Sequence, residues 1–264
     1  MKNNITGKQV FDVVLATLFV AWLFFEIIIQ GNAFNIFQYS GFSGKLIVLM
    51  GHISPAIAVY MFMGVWGDVK DAKDFALKVL ACKNWLRTAI VLFAFIGVHY
   101  IAISSSTDLI VRPKGFAFVV VPFCFLTCGV AEISFRGIIF KGLWENIPFF
   151  FACVMTGTIM LIYNIPLYAV EGTRQSVTDF ALFYIYCIYM NILQGCIYRI
   201  TASVFACMIF ATYMMSFSYL YQGVLFERPA IVLFCVLELI AAIAAAFAAG
   251  VNIPGRGWAR PKEQ

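Results

Sequence analysis

The sequence predicts an all-helical fold, a membrane bundle of about eight transmembrane helices formed by the whole chain, residues 1–264. Of the 264 residues, 63% are hydrophobic and only 12% are charged. A soluble domain of this length carries roughly 25% charged residues, because water must solvate its surface. Lipid instead accepts apolar side chains on the outside of a helix bundle. The composition therefore favours a single integral membrane domain over a soluble globular one.

Eight segments are long and apolar enough to be spanning helices, each of which needs about 20 mainly apolar residues. They cover approximately 10–30, 46–67, 88–105, 116–140, 147–168, 178–198, 202–222 and 229–249. Glycine or proline marks several of the breaks between segments, as at Gly31, Gly67 and Pro148. No internal repeat is visible, so an inverted-repeat transporter receives no support from the sequence.

Residues 69–86 differ from the rest of the chain, because charged and apolar side chains are interleaved there. Lys70, Lys73 and Lys78 stand among apolar residues such as Phe75, and Trp85 follows near the end. This pattern is typical of an amphipathic helix in the cytoplasmic interface of the bilayer, with its basic residues toward lipid headgroups. A solvated linker is the alternative interpretation.

Orientation follows from the distribution of lysine and arginine, which are enriched in cytoplasmic loops. An eight-helix topology with a cytoplasmic N-terminus also returns the C-terminus to the cytoplasm. Of the 18 basic residues, those left outside are Lys45, Arg112, Lys114, Arg174 and Arg228. Because the basic residues are scattered between apolar stretches, the net charge of +5 indicates membrane topology. The predicted partner is the lipid bilayer, and no nucleic acid is expected.

Ionisable groups inside spanning segments are costly and are candidates for function by default. Four stand out in this sequence: Glu26, Glu132, Arg136 and Glu238. Glu132 and Arg136 are four residues apart on the fourth segment, so they share one helix face and can pair. Such a pair could also be a purely structural strut. Glu26 and Glu238 have no partner in their own segments, and protonation, snorkelling or pairing across the bundle all remain open.

The segment AEISFRGIIFKGLWE, residues 131–145, resembles the first motif of the CPBP family. This family of intramembrane metalloproteases includes CAAX-prenyl endopeptidases and bacterial Abi proteins. Its motif has two adjacent glutamates, three further residues and an arginine, commonly followed by glycine. Glu132, Phe135, Arg136 and Gly137 fit the second glutamate and the Phe-Arg-Gly portion. The resemblance implies a CAAX-protease-like helical bundle.

Two further segments agree with the family in position. MLIYNIP, residues 160–166, looks like the second motif, and YRITASVFACMIFATYMM, residues 198–215, looks like the stretch leading into the third. Arg199, Thr201 and Ser203 match that lead-in. Glu132 and Asn164 lie equally far along the chain from the turn between their helices, so they are expected at similar depth. The CPBP-like core covers residues 116–222.

The resemblance implies catalytic groups that this chain lacks. In an active relative the first glutamate activates water, and motif histidines and an asparagine hold the metal or the oxyanion. The degenerate motif positions in this chain are Ala131, Met160, Asn164, Ala211 and Met215. What remains is the bracing pair of the second glutamate and the arginine. No catalytic residue is therefore intact.

A catalytic zinc site needs three protein ligands and an open position for water. The two histidines, His52 and His99, fall at no motif position, and both are interpreted as satisfied helix histidines. A set made of Glu132, Asn164 and Cys207 is disfavoured, because asparagine is a poor zinc ligand and the glutamate would have to leave its arginine. The sequence therefore predicts no metal and no cofactor.

Loss of the chemistry with retention of the brace favours a pseudoprotease that acts by binding. It would be a scaffold, a regulatory subunit or a binder of a hydrophobic peptide, with bacteriocin immunity as one role that the resemblance suggests. The first alternative is an active metalloendopeptidase with displaced ligands, which would need zinc. The second is a small ion-coupled transporter using Glu26, Glu132 and Glu238. The resemblance suggests a bacterial plasma membrane.

Overall fold

The computed structural model describes residues 5–104, 117–173, 175–220 and 229–249, and every regular element in these ranges is helical. The all-helical prediction is therefore confirmed. The longer helices and their bounds are α1 Gly7–Ala33, α2 Phe42–Val65, α3 Ala72–Val79, α4 Trp85–Ser104, α5 Ala117–Trp144, α6 Phe149–Asn164, α7 Phe180–Thr201, α8 Val204–Leu220 and α9 Pro229–Ala248. A 3₁₀ turn over Ile165–Ala169 continues α6, and a second one covers Gln175–Val177.

Five of these helices are long and apolar enough to cross a membrane: α1, α2, α5, α6 with its 3₁₀ continuation, and α7. In the part of the chain that is described, the apolar stretches of α4, α8 and α9 are shorter. Large apolar side chains on the outer surface, such as Phe19, Phe93 and Phe118, are more than two-thirds exposed. Lipid solvates such a surface at no cost, whereas water would not. The described helices are thus compatible with an integral membrane protein.

Helix α5 forms the centre of the bundle and contacts α1, α2, α6, α7 and α8. Pro122 lies inside it, and two π-helical turns follow, over Phe125–Gly129 and Phe135–Phe140. Residues 131–140 are all buried, so this stretch is surrounded by protein on every side. Proline removes one backbone donor, and π turns are common where a helix serves a site. Both features place Glu132 and Arg136 in an irregular, enclosed part of the helix.

Glycines allow the inner helices to approach closely, as is usual in membrane bundles. A Cβ atom added to Gly129 of α5 would lie 2.6 Å from Oγ1 of Thr212 on α8. A Cβ atom added to Gly195 of α7 would lie 2.7 Å from Sγ of Cys153 on α6. The two contacts fix α8 against α5 and α6 against α7, so the three helices around the α5 polar residues are held at short range.

The charged segment 69–86 is helical only over Ala72–Val79, and Trp85 already begins α4. Asp71 caps α3, because its side chain accepts a hydrogen bond from the backbone N–H of Asp74. Lys78 pairs with Asp74 one turn away, at 2.9 Å. The amphipathic helix predicted for the whole segment is therefore a short, capped one.

Candidate functional site

The centre of the bundle holds an ion pair between Glu132 and Arg136. Nε of Arg136 lies 3.3 Å from Oε2 of Glu132, and the two side chains are 0% and 1% exposed. Both residues come from α5, four positions apart, as the sequence predicts for an intrahelical pair. The guanidinium also lies over the ring of Phe140, with Cζ 5.2 Å from the ring centroid. The arginine is thus entirely enclosed by protein.

Helix α7 supplies two short hydrogen bonds to this arginine. Nη2 of Arg136 donates to Oδ1 of Asn191 at 2.5 Å and to Oε1 of Gln194 at 2.6 Å. Asn191 is held in this orientation because its Nδ2 donates to the carbonyl of Cys187 at 2.7 Å and contacts Sδ of Met160 at 3.2 Å. The arginine therefore joins α5, α7 and α6 through one polar cluster. We call Glu132, Arg136, Asn191 and Gln194 the core polar cluster.

The cluster is not fully satisfied. The contact between Glu132 and Arg136 is short enough for an ion pair, but it does not have hydrogen-bond geometry. Within the described residues, Oε2 of Glu132, Nη1 of Arg136 and Nε2 of Gln194 have no hydrogen-bond partner. A buried charge without hydrogen bonds is costly, so the attraction between the two charges has to offset much of that cost.

The degenerate motif positions lie around this cluster on α5, α6 and α8. Ala131 and Ala211 are buried, each 4% exposed, and Met160 contacts Asn191 of the cluster. Asn164 closes the end of α6, since its Nδ2 donates to the carbonyl of Met160 at 2.8 Å. Its Oδ1 accepts from Nε2 of Gln175 at 3.0 Å. Both polar atoms of the Asn164 amide are therefore occupied by structural hydrogen bonds.

Met215 and Cys207, both on α8, complete the set considered from the sequence. Met215 is half-buried, and its backbone carbonyl accepts from Oγ of Ser218 at 2.8 Å. Sγ of Cys207 contacts the backbone carbonyl of Gln194 at 3.6 Å, so it lies beside the core polar cluster. Across the described residues, no three His, Cys, Asp or Glu side chains come close enough to hold a metal ion.

Arg199 from the third-motif lead-in does not approach the core polar cluster. Its Nε donates to the carbonyl of Ala246 at 3.0 Å, and its Cζ lies 4.2 Å from the ring centroid of Phe247. Trp144 and Phe149 complete an aromatic surround at 5.7 and 5.6 Å. Cation–π contacts of this kind stabilise a guanidinium without an acidic partner. Arg199 thus fastens α9 to α7.

A scan against protein-family models and a search of the curated proteins both find no match to this chain. Its functional interpretation therefore rests on the residues themselves. The remaining candidate sites are the surroundings of Glu238, those of Glu26 and His52, and one apolar cavity.

A second buried polar group lies between α4, α7 and α9. Nδ1 of His99 is 3.0 Å from Oε2 of Glu238, and the hydroxyl of Tyr189 donates to the same oxygen at 2.5 Å. Of the three possibilities left open for Glu238, pairing across the bundle is the one observed. The sequence gives Glu238 and His99 as isolated residues in apolar segments, and nothing in it indicates that they meet. We call His99, Tyr189 and Glu238 the buried triad.

Glu26 and His52 have simpler surroundings. Glu26 is exposed on the outer side of α1, where its Oε1 accepts from Nε2 of Gln30 at 2.6 Å. Nδ1 of His52 lies 3.1 Å from the hydroxyl of Tyr163, and its ring packs edge-on against Phe25 at 5.4 Å. His52 therefore belongs to the packing between α1, α2 and α6, as expected for a satisfied helix histidine.

An apolar cavity of about 790 Å³ lies between α4, α5 and α8. Its walls include Tyr100, Val121, Leu126, Ser216 and Phe217. Its size is within the range of roughly 300–1,000 Å³ that is usual for small-molecule sites. Its wall contains no residue of the core polar cluster, although Thr212 and Ser216 in the wall directly follow the motif positions Ala211 and Met215 on α8.

Proposed function

We propose that this chain is a non-catalytic integral membrane protein of CPBP-like architecture that acts by binding a partner within the membrane. In this proposal eight helices cross a bacterial plasma membrane, and both termini face the cytoplasm. The partner is another membrane protein or a hydrophobic peptide. The chain would serve as a scaffold, a regulatory subunit or an immunity-type binder of that peptide.

The observation that carries this proposal is that the polar groups of the core polar cluster bond to each other inside the bundle. Arg136 forms an ion pair with Glu132 and donates hydrogen bonds to Asn191 and Gln194, all inside the bundle. Asn164, at the position of a family histidine, uses both polar atoms of its amide in hydrogen bonds at the end of α6. A general base must reach its substrate or an attacking water, and these groups are bonded to each other. The cluster is thus suited to holding helices together.

The surface that best fits a partner is the α1 outer face, formed by Phe19, Leu23, Glu26, Ile27 and Gln30. The three apolar side chains are 72%, 53% and 43% exposed. Glu26 and Gln30 bond each other on this face, in the last two turns of the helix. Polar side chains on lipid-facing helix surfaces promote association, because a neighbouring helix can satisfy them where lipid cannot. A partner helix with a basic or amide side chain at this depth would do so.

Site-specific photo-crosslinking in the native host tests the partner-binding part of the proposal. A photoreactive residue at Leu23 should yield one discrete crosslinked product. The same residue at Phe93 of α4, which is 84% exposed, is the matched lipid-facing control and should yield none. Equal crosslinking to many proteins at both positions would contradict a specific α1 partner.

A metal and cleavage assay tests the non-catalytic part. The purified chain, incubated with zinc, should retain less than about 0.1 zinc per chain after dialysis, whereas a catalytic site would hold one. It should also leave membrane peptides uncut. Metal-dependent cleavage that disappears in Glu132→Ala would overturn the proposal in favour of an endopeptidase with displaced ligands.

A further inference from the structure

The buried triad lies at the depth where an ionisable group is most expensive in a membrane. Glu238 is at the midpoint of the 20-residue helix α9, and Tyr189 is near the midpoint of the 22-residue helix α7. The exposed fractions of His99, Tyr189 and Glu238 are 1%, 3% and 5%. At about 1.5 Å per residue, Glu238 is roughly 15 Å from either end of its helix. Intramembrane acids in such positions mark ion or proton pathways more often than surface acids do.

The geometry of the triad concentrates its contacts on one carboxylate oxygen. Oε2 of Glu238 accepts from the Tyr189 hydroxyl and lies 3.0 Å from Nδ1 of His99, while the hydroxyl is 3.3 Å from the same nitrogen. Within the described residues, Oε1 of Glu238 and Nε2 of His99 have no hydrogen-bond partner. Each of these two side chains therefore keeps one buried polar atom to which a proton or a hydrogen-bond partner can bind.

No positively charged side chain balances an ionised Glu238 within the described residues. An ionised Glu238 beside a neutral His99 carries a net charge of −1, and the ion pairs of the described residues place no lysine or arginine on this carboxylate. The neighbouring titratable groups are the Cys235 thiol on α9, beside Tyr189, and the Tyr213 phenol on α8, whose ring packs on His99. Neither supplies a positive charge. One added proton neutralises the site.

We propose that the buried triad is a proton-binding site. When Nδ1–H of His99 donates to Glu238, the lone pair of Nε2 is left to accept the proton. The product is an imidazolium–carboxylate pair of zero net charge. Release of the proton leaves a buried anion between three helices.

Proton binding at this position would bias the packing of α7 and α9. Tyr189 on α7 lies two residues from Asn191, which binds Arg136, so α7 connects the buried triad with the core polar cluster. A change in charge at Glu238 acts directly on the hydrogen bond from Tyr189. Binding of the proton can therefore change how α7 and α9 pack.

Nitrogen NMR of the histidine side chains tests the proposal on the full chain in neutral-lipid nanodiscs. The chain has two histidines, so the imidazole signal that is missing from His99→Gln identifies His99. In the parent, this signal should change from imidazolium to neutral imidazole within roughly pH 5–9. Glu238→Gln should move the transition to lower pH by about one unit or more, a tenfold loss of proton affinity, because the stabilising negative charge is gone.

A second variant gives a shift of opposite sign, which a purely structural role would not produce. Tyr189→Phe removes a hydrogen bond that stabilises the carboxylate, so the proton should bind more tightly and the transition should move to higher pH. Glu171→Gln, at an exposed position outside the proposed sites, is the control and should leave the His99 signal unchanged. A neutral His99 ring throughout the range, or the same transition in the parent, Glu238→Gln and Tyr189→Phe, would overturn the proposal.

Discussion

Replacement of Arg136 by methionine tests whether the core polar cluster holds the bundle together. The change keeps an unbranched side chain of similar length but removes the cation, leaving Glu132, which is 1% exposed, without its partner. It also removes the hydrogen bonds to Asn191 and Gln194. Breaking a buried ion pair costs about 3–5 kcal/mol, chiefly because the remaining charge stays buried. We expect Arg136→Met to lower the stability of the chain by about that amount.

The assay is thermal unfolding in mild detergent, where the expected loss corresponds to about 10 °C in Tm. The double variant Glu132→Gln/Arg136→Met should regain about 1–2 kcal/mol relative to Arg136→Met, since neither charge is then left alone. Arg87→Met, at an exposed position near the start of α4, is the matched control and should change stability by less than about 0.5 kcal/mol. If Arg136→Met melts within a degree of the parent, the cluster does not brace the bundle.

Three further predictions follow from packing, protonation and topology. Gly195→Ala should destabilise the chain by about 1–3 kcal/mol, because the new Cβ lies 2.7 Å from a thiol on α6. Gly97→Ala is the control, because a Cβ there has no atom within 4 Å. It should be neutral or slightly stabilising in the same thermal unfolding assay. Burial raises the pKa of the Glu145 carboxyl above its ordinary value. The folded chain then keeps this proton to higher pH than the unfolded chain, so Tm should fall as pH rises through that window, and less so in Glu145→Gln. In intact cells, a membrane-impermeant thiol reagent should label Lys45→Cys but not Lys83→Cys, and labelling of both would contradict the eight-helix topology.

The positions of the helices could be predicted from the sequence because lipid imposes a simple rule. A spanning helix needs a long apolar run. The predicted segment 10–30 falls within α1, and segment 46–67 overlaps α2 and runs two residues past its end at Val65. Residues 116–140 correspond to most of α5, although the two π turns in that helix have no signal in composition or periodicity. The amphipathic segment 69–86 was wrong in extent, because Asp71 begins the helix and Leu80 already ends it.

Contacts within one helix could be predicted from the sequence, whereas contacts between residues far apart in the chain could not. Glu132 and Arg136 could be paired from the sequence, because spacing on one helix fixes their proximity. The hydrogen bonds of Arg136 to Asn191 and Gln194 join residues 55 and 58 positions apart, and no local pattern specifies them. The buried triad is the extreme case, since His99 and Glu238 are 139 residues apart. Which faces of α4, α7 and α9 meet is decided by packing alone.

The most direct test of the partner-binding function is the stoichiometry of the complex that the chain forms in its native membrane. The parent, Glu26→Ala and the control Phe93→Leu would each be purified in mild detergent and weighed by native mass spectrometry. We expect one defined partner at a fixed ratio for the parent and for Phe93→Leu, and its loss in Glu26→Ala. Recovery of the chain alone in all three cases would show that it has no such partner.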